Sequence, residues 1–213
     1  MFRKVWAAGL VLFSCVFVLN AVAADISANL GFNSEYIFRG IPQAKSSAFG
    51  GFDLESGGFY AGTWAADVSD GLEVDYYGGY GFEVGDFGFT AGGTWYTYTG
   101  DFDDEYLELN LGINWKFLSL EVTKGKYDNF AGPELDYSFY SLSASHKGFY
   151  VSIGAFTRDF EGSYFEAAYG NTFSIQDHDW FDYTFAVIHS DSRLLGGRSD
   201  TNYVLTLGRT FNL

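Results

Sequence analysis

Cysteine is nearly absent from this 213-residue chain, and the one present, Cys15, lies in an apolar run near the amino terminus. Beyond that run there is no thiol, so disulfides cannot stabilise the fold and an oxidising compartment cannot mispair it. Proline occurs only twice. No Pro/Ser-rich linker, low-complexity tract or charge run divides the sequence, which predicts a single domain. Basic residues are scarce, with 12 Lys+Arg against 27 Asp+Glu. Setting aside Arg3 and Lys4 leaves 10 against 27, a formal charge of −17, which argues against nucleic acid as a partner. A helical period is also missing from everything after residue 24.

What is present begins with an export pattern. Arg3 and Lys4 precede an uncharged, mostly apolar run from Val5 to Leu19, and small residues follow at Ala21-Val22-Ala23-Ala24. This predicts a signal peptide over residues 1–24, cut after Ala23 or Ala24, with residues 25–213 as the mature domain. The competing reading is an uncleaved anchor, since Val5 to Ala24 is about long enough to span a bilayer; the A-x-A ending without a basic stop favours cleavage. A lipoprotein site at Leu12-Phe13-Ser14-Cys15 is disfavoured by bulky Phe13 and by the apolar run continuing past Cys15.

Period two runs along the rest. Ile26, Ala28, Leu30, Phe32, Tyr36 and Phe38 alternate with Ser27, Asn29, Gly31, Asn33, Glu35 and Arg39. Leu107, Leu109, Leu111, Ile113 and Trp115 likewise oppose Tyr106, Glu108, Asn110, Gly112 and Asn114. Such alternation means strands with one apolar and one polar face. About twelve are expected, near 26–39, 46–56, 59–68, 73–83, 87–98, 105–115, 118–127, 136–146, 149–157, 164–173, 179–189 and 201–213. Connections alternate between tight turns (Gly57-Gly58, Val84-Gly85-Asp86, Lys116-Phe117, Lys147-Gly148) and mostly longer polar loops. Ser174 to His178 is longer than that scheme prefers. An even strand count with short turns on one side and longer loops on the other is the layout of an all-β, antiparallel transmembrane barrel.

A soluble barrel would alternate too, with its apolar face inward. Strands of about 9–11 residues suit a tilted membrane crossing. About twelve strands also enclose more than side chains readily fill. Aromatics make up 21% of the chain, and Tyr36, Phe38, Trp95, Trp115, Tyr203 and Phe211 lie near strand ends, as headgroup girdles require. The closing residues Gly208, Phe211 and Leu213 have the spacing of a C-terminal signal read by outer-membrane barrel assembly machinery.

Two stretches, Ser34-Glu35-Tyr36-Ile37-Phe38-Arg39-Gly40 and Gly58-Phe59-Tyr60-Ala61-Gly62-Thr63-Trp64-Ala65, resemble the proteobacterial TorF-type porins; Glu73 to Gly78 and Tyr96-Thr97-Tyr98 fit the same pattern. The ending departs from it, since the chain stops at Leu213, two residues past Phe211, where a terminal aromatic is expected. The resemblance implies an outer-membrane barrel with pore function and supplies neither catalytic residues nor a substrate.

With the apolar stripe against lipid, the other stripe lines the interior. It carries Glu35, Asp53, Glu55, Glu73, Asp75, Glu83, Glu108, Glu121, Glu166 and Asp182, with Arg39 the clearest inward base. Carboxylates in a confined path favour cations. The expected function is a cation-preferring pore for passive diffusion of small, preferentially cationic or neutral solutes across the cell outer membrane, without cofactor, metal or chemistry. Expected partners are the bilayer, lipopolysaccharide, the assembly machinery and the solutes themselves. Two alternatives stay open: hydrogen-bonded networks that plug a non-conducting structural or adhesive barrel, and, for Arg39, a clamp at the mouth instead of a selectivity element. Enzymatic readings are thin, because His189-Ser190-Asp191 alternates across a strand and cannot form nucleophile–base geometry. Asp177-His178-Asp179 and Asp101 to Glu105 read as polar turns and loops before they read as metal sites.

Overall fold

The computed structural model describes residues 24–213, so Cys15 and all but the last residue of the expected signal peptide lie outside the described residues. Twelve strands follow in order: β1 (Asp25–Phe38), β2 (Ile41–Ser56), β3 (Phe59–Asp67), β4 (Leu72–Val84), β5 (Phe87–Tyr98), β6 (Tyr106–Trp115), β7 (Leu118–Tyr127), β8 (Leu135–His146), β9 (Phe149–Arg158), β10 (Gly162–Ile175), β11 (His178–Ser190) and β12 (Asp200–Asn212). Each pairs antiparallel with its chain neighbours, and β12 returns to β1 from Ser27↔Asn212 to Asn33↔Thr206, closing the ring. No helix occurs among the described residues.

Backbone chemistry explains the turns. The connections 57–58, 85–86, 116–117, 147–148 and 176–177 gather at one end of the barrel, and each has at least one residue of positive φ, such as Lys147 (50°) and Gly148 (85°). Two-residue turns with positive φ match the right-handed twist of the strands they join. Gln176 (51°) and Asp177 (62°) make the fifth turn as tight as the others, so the longer connection expected from Ser174 to His178 does not occur. At the other end the connections 68–71, 99–105, 128–134, 159–161 and 191–199 are longer, whereas 39–40 is a two-residue turn.

The alternation sorts the side chains. On β6, Leu107, Leu109, Leu111 and Ile113 are exposed on the outside while Glu108 and Asn110 are buried inside. The same division holds around the ring, with Phe52, Leu120, Leu142, Ile153, Phe165, Phe185 and Leu207 also facing out. An apolar outer belt on a ring without free edges is the surface of a membrane-crossing barrel. Near the tight-turn end the belt is rimmed by packed rings, including Phe59–Tyr80 (4.8 Å), Phe82–Phe89 (5.3 Å), Phe149–Tyr169 (4.9 Å) and Phe173–Phe181 (5.1 Å).

Two expectations from the alternation are corrected at the β1–β2 hairpin. Tyr36, only 3% exposed, and Phe38 belong to the interior and not to an outer girdle. The pairing skips from Asn33↔Ser47 to Glu35↔Lys45, Ser46 sits at φ 60°, and the register shifts between Tyr36 and Ile37. Those irregularities turn the last part of the hairpin out of the wall and reverse which residues face the interior, as bulges do. The loop expected from 40 to 45 is strand instead, joined by Arg39 (φ 46°) and Gly40 (φ 81°).

A charge placed in the middle of the outer belt should be expensive. Leu111→Arg is expected to lower stability by about 2–4 kcal/mol in vesicle-inserted protein. Urea titration checks this.

Candidate functional site

The displaced hairpin tip lies across the loop end of the barrel and touches the wall on three sides. Ile37 packs with Ala168, Ala186, Ile188 and Val204 of β10–β12. Tyr36 and Ala44 pack with Ala66 and Val68 beside β3. Ile41 rests on the cluster of Tyr127, Tyr137, Phe139 and Phe156 from β7–β9. Ser190, at the end of β11, donates to the Gly40 carbonyl at 2.6 Å.

Arg39 completes the crossing. β7 stands six places from β1 in either direction round the ring, yet the guanidinium at the end of β1 reaches the β6–β7 wall. Nη1 meets Glu108 Oε1 at 2.5 Å, and Nη2 meets Glu108 Oε2 at 3.2 Å and Glu121 Oε1 at 3.0 Å. The Arg39 and Glu108 side chains are 1% and 0% exposed. Phe139 and Phe38 flank the cation, with centroids 4.2 and 4.9 Å from Cζ. Tyr137 and Tyr96 donate their hydroxyls to Glu108 at 2.7 and 3.0 Å, so both oxygens of this carboxylate have several partners. A fork on a bidentate carboxylate, with aromatic rings beside it, is the geometry guanidinium binds best.

Close approach of the Tyr137 ring needs a wall without side chains. A Cβ on Gly125, at the register partner of Tyr137, would overlap that ring, and a Cβ on Gly62 would overlap the ring of Tyr77.

The other expected interior residues take distinct places. Asp53 accepts from Tyr77 (2.5 Å) and Asn29 (3.4 Å), and Asp182 from Thr172 (2.5 Å), all on the inner face nearer the tight turns. Glu55 and Glu166 also lie on inward positions, with Glu166 buried. Asp75 is inward and 8% exposed, and its Oδ1 has no hydrogen-bond partner. Glu35 departs from the expected lining: it pairs with Lys45 across the displaced hairpin, because the kink has turned it away from the ring of carboxylates. Glu73, expected on the interior stripe, is 1% exposed and accepts from Tyr36 (2.5 Å) and Tyr98 (3.1 Å). The structure thus brings Arg39, Glu108 and Glu121 together and holds Asp53, Glu55 and Asp182 apart from them. Gly208 faces inward opposite Gly31, while Phe211 and Leu213 are exposed at the seam's end.

Sequence reasoning placed none of Tyr96, Tyr137, Phe139, Ile37 and Ile41 among the interior site residues. Parity was the available signal for the first three, since rings on the polar stripe of a strand must point inward.

Asp191, in the loop after β11, holds Leu194 over Gly40 and so braces the hairpin. It accepts from the Leu194 and Arg193 N–H groups (2.9 and 3.0 Å) and from the Ser163 N–H and hydroxyl (3.0 and 2.8 Å). Slight burial pushes its carboxyl upward, but the Leu194 N–H, Ser163 and the Arg193 charge hold it below the usual aspartate value. His189 instead faces outward to Thr201 (2.8 Å), so His189, Ser190 and Asp191 form no triad. Asp103 accepts from Tyr106 and Tyr127 at 2.8 and 2.7 Å. Among the described residues no group of three or more His, Cys, Asp or Glu is placed to hold a metal ion.

A closed twelve-stranded ring, apolar outside and polar inside, has the porin type of architecture. The family described as "Bacterial protein of unknown function (Gcw_chp)" matches residues 20–163, and the chain belongs to it. No curated protein matches the chain. Among solved structures, Pseudomonas aeruginosa OccK5 (OpdH) is similar at 11% identity and TM-score 0.45, covering 86% of this chain and 63% of its own. Acinetobacter baumannii OccAB3 gives 10% and 0.43, covering 86% and 60%. P. aeruginosa OccK2 (OpdF), solved with glucuronate, gives 13% and 0.39, covering 89% and 61%. The chain spans less than two thirds of the length of each of these three.

Removing Glu108 leaves a buried guanidinium short of its main counter-charge. Glu108→Ala is expected to destabilise the barrel by about 3–5 kcal/mol, and Arg39→Met with Glu108→Met by markedly less; urea titration in vesicles reads both. A depressed Asp191 contributes stability that is present above the usual aspartate value and lost as pH falls through its folded value. The protection of the Leu194 amide relative to its intrinsic exchange rate should therefore fall below about pH 4, and Asp191→Asn should remove that dependence.

Proposed function

We propose that this protein is an outer-membrane channel for small solutes, held shut in the described conformation by the β1–β2 hairpin. The observation that carries the reading is the two-faced wall: a continuous apolar belt outside and a polar inner face that extends past the hairpin towards the tight turns. Asn29, Asn114, Ser143, Thr172 and Asp182 are among the residues on that inner face. Among the described residues, no inward strand position on the tight-turn side of Arg39 carries Lys or Arg. Asp53, Glu55 and Asp182 do lie there, which supports preference for cations. The resemblance to TorF-type porins points the same way.

Tight turns face the periplasm in barrels of this layout, so the hairpin closes the outer mouth. Lys124 and Lys126 lie on the outward face of β7 near the loop end, where lipopolysaccharide phosphates are within reach. Gly208, Phe211 and Leu213 are then the signal handed to the assembly machinery. The second reading is a non-conducting structural or adhesive barrel, and the buried Arg39–Glu108 pair favours it.

Single-channel recording in a planar bilayer under a salt gradient separates the two. Residues 25–213, refolded, should show rare, small openings with a cation-selective reversal potential. Arg39→Ala should open more often and in larger steps. Silence from folded, inserted Arg39→Ala would leave the structural reading in possession.

A further inference from the structure

We propose that the wall around Glu108 and Glu121 is a recognition site for solutes carrying a guanidinium group, and that Arg39 is its tethered occupant. This rests on the channel reading above and adds the class of solute.

The site divides cleanly between wall and hairpin. Glu108, Glu121, Tyr96, Tyr137 and Phe139 belong to strands of the ring, whereas Arg39 and Phe38 belong to the displaced hairpin. When the hairpin leaves, the wall keeps two carboxylates, two tyrosine hydroxyls aimed at one of them, and an aromatic face. Carboxylates buried among aromatic rings without a cation are costly, so the open state calls for a replacement. The shape of that replacement is already displayed. A planar fork sits on Glu108 through two nitrogens, shares one with Glu121, and lies near the Phe139 ring, at 4.2 Å to its centroid. An ammonium, a compact and strongly hydrated charge, matches this site less well.

Two further observations mark the tether as an imperfect ligand. Arg39 Nε is buried without an acceptor. Asp75 Oδ1, on the strand position opposite Tyr96, is buried without a donor. The backbone turn at Arg39 fixes where the side chain enters and leaves both atoms unmatched. A free guanidinium compound keeps the fork and chooses its own stem direction. Because solute and tether compete for one site, solute binding draws the equilibrium towards the state in which the hairpin has left the wall. The solute therefore releases the latch that excludes it.

The test uses ethylguanidinium and ethylammonium, which share a stem and differ in the head. In bilayers, ethylguanidinium should block the Arg39→Ala current, with ethylammonium about tenfold weaker, the loss of one charge-assisted hydrogen bond. The preference should vanish in the Arg39→Ala, Glu108→Gln double variant. Equal block by the two cations, or a preference that survives Glu108→Gln, overturns the site. A second measurement keeps Arg39 in place and so does not depend on the folding of Arg39→Ala. Ile41→Cys puts a thiol on the hairpin, against the cluster of Tyr127, Tyr137, Phe139 and Phe156, in residues 25–213 otherwise free of cysteine. Millimolar ethylguanidinium should speed its labelling several-fold, and ethylammonium should not; equal rates overturn the proposal. Selective acceleration without current in any folded variant upholds the site and removes the channel. Cation-selective current in Arg39→Ala that is indifferent to ethylguanidinium upholds the channel and removes the site.

Discussion

A backbone crossing hydrocarbon has no water to satisfy its N–H and C=O groups, so a sheet there must close on itself. That constraint sets the rest of this molecule. Closure fixes which face of every strand is inside, because successive side chains alternate. It also creates an interior. Eight strands make a ring that their own side chains fill; twelve leave room, and the chain fills part of it with its own first hairpin. The kink near Ser34 and Ser46 is therefore a consequence of ring size as much as of local sequence.

Bringing a hairpin inside carries a polar tip into a place walled by protein. Gly40 hands its carbonyl to Ser190, and Arg39 hands its charge to Glu108 and Glu121. The first contact alone would give little specificity. The second is directional: a guanidinium, a bidentate carboxylate and two tyrosine hydroxyls admit few alternative arrangements, and like charges among Glu108, Glu121 and Asp75 would repel if the cation withdrew. Apolar packing on three sides adds adhesion without direction. The ion pair thus decides where the hairpin rests, and the apolar contacts decide how firmly.

The wall was largely legible in the sequence. Leu107 to Trp115 announces its two faces by parity alone, and Lys147-Gly148 announces its turn by composition. The hairpin was not. Tyr36 and Phe38 continue the even-numbered apolar series from Ile26, and nothing local distinguishes a strand that stays in the wall from one that leaves it. The decisive features are Ser46 at positive φ and a register slip beyond Tyr36, and the contacts that accompany them come from strands far away in sequence, Ser190 on Gly40 and Leu205 on Ser34. Arg39 shows the same limit from the other side. Its type and parity marked it as an inward cation, but its partner depended on the ring bringing β6 and β7 opposite β1. Pairing between strands is a local rule, whereas contact across an interior is a property of the closed ring.

The acidic interior accordingly has two parts with different physics. Asp53, Glu55 and Asp182 sit on the inner face towards the tight turns, where in the proposed channel they would act on passing ions through field. Glu108 sits at the crossing, desolvated and matched, with the half-buried Glu121 beside it, and in the proposed site the two would act through contact. A field attracts any cation and is screened by salt; a desolvated fork selects by shape and is screened far less. In the proposed channel the selective element would lie at the outer mouth with the unselective one behind it, which orders the two steps. A solute would be discriminated where it must displace the latch, and then be drawn onward by a field that need not discriminate again.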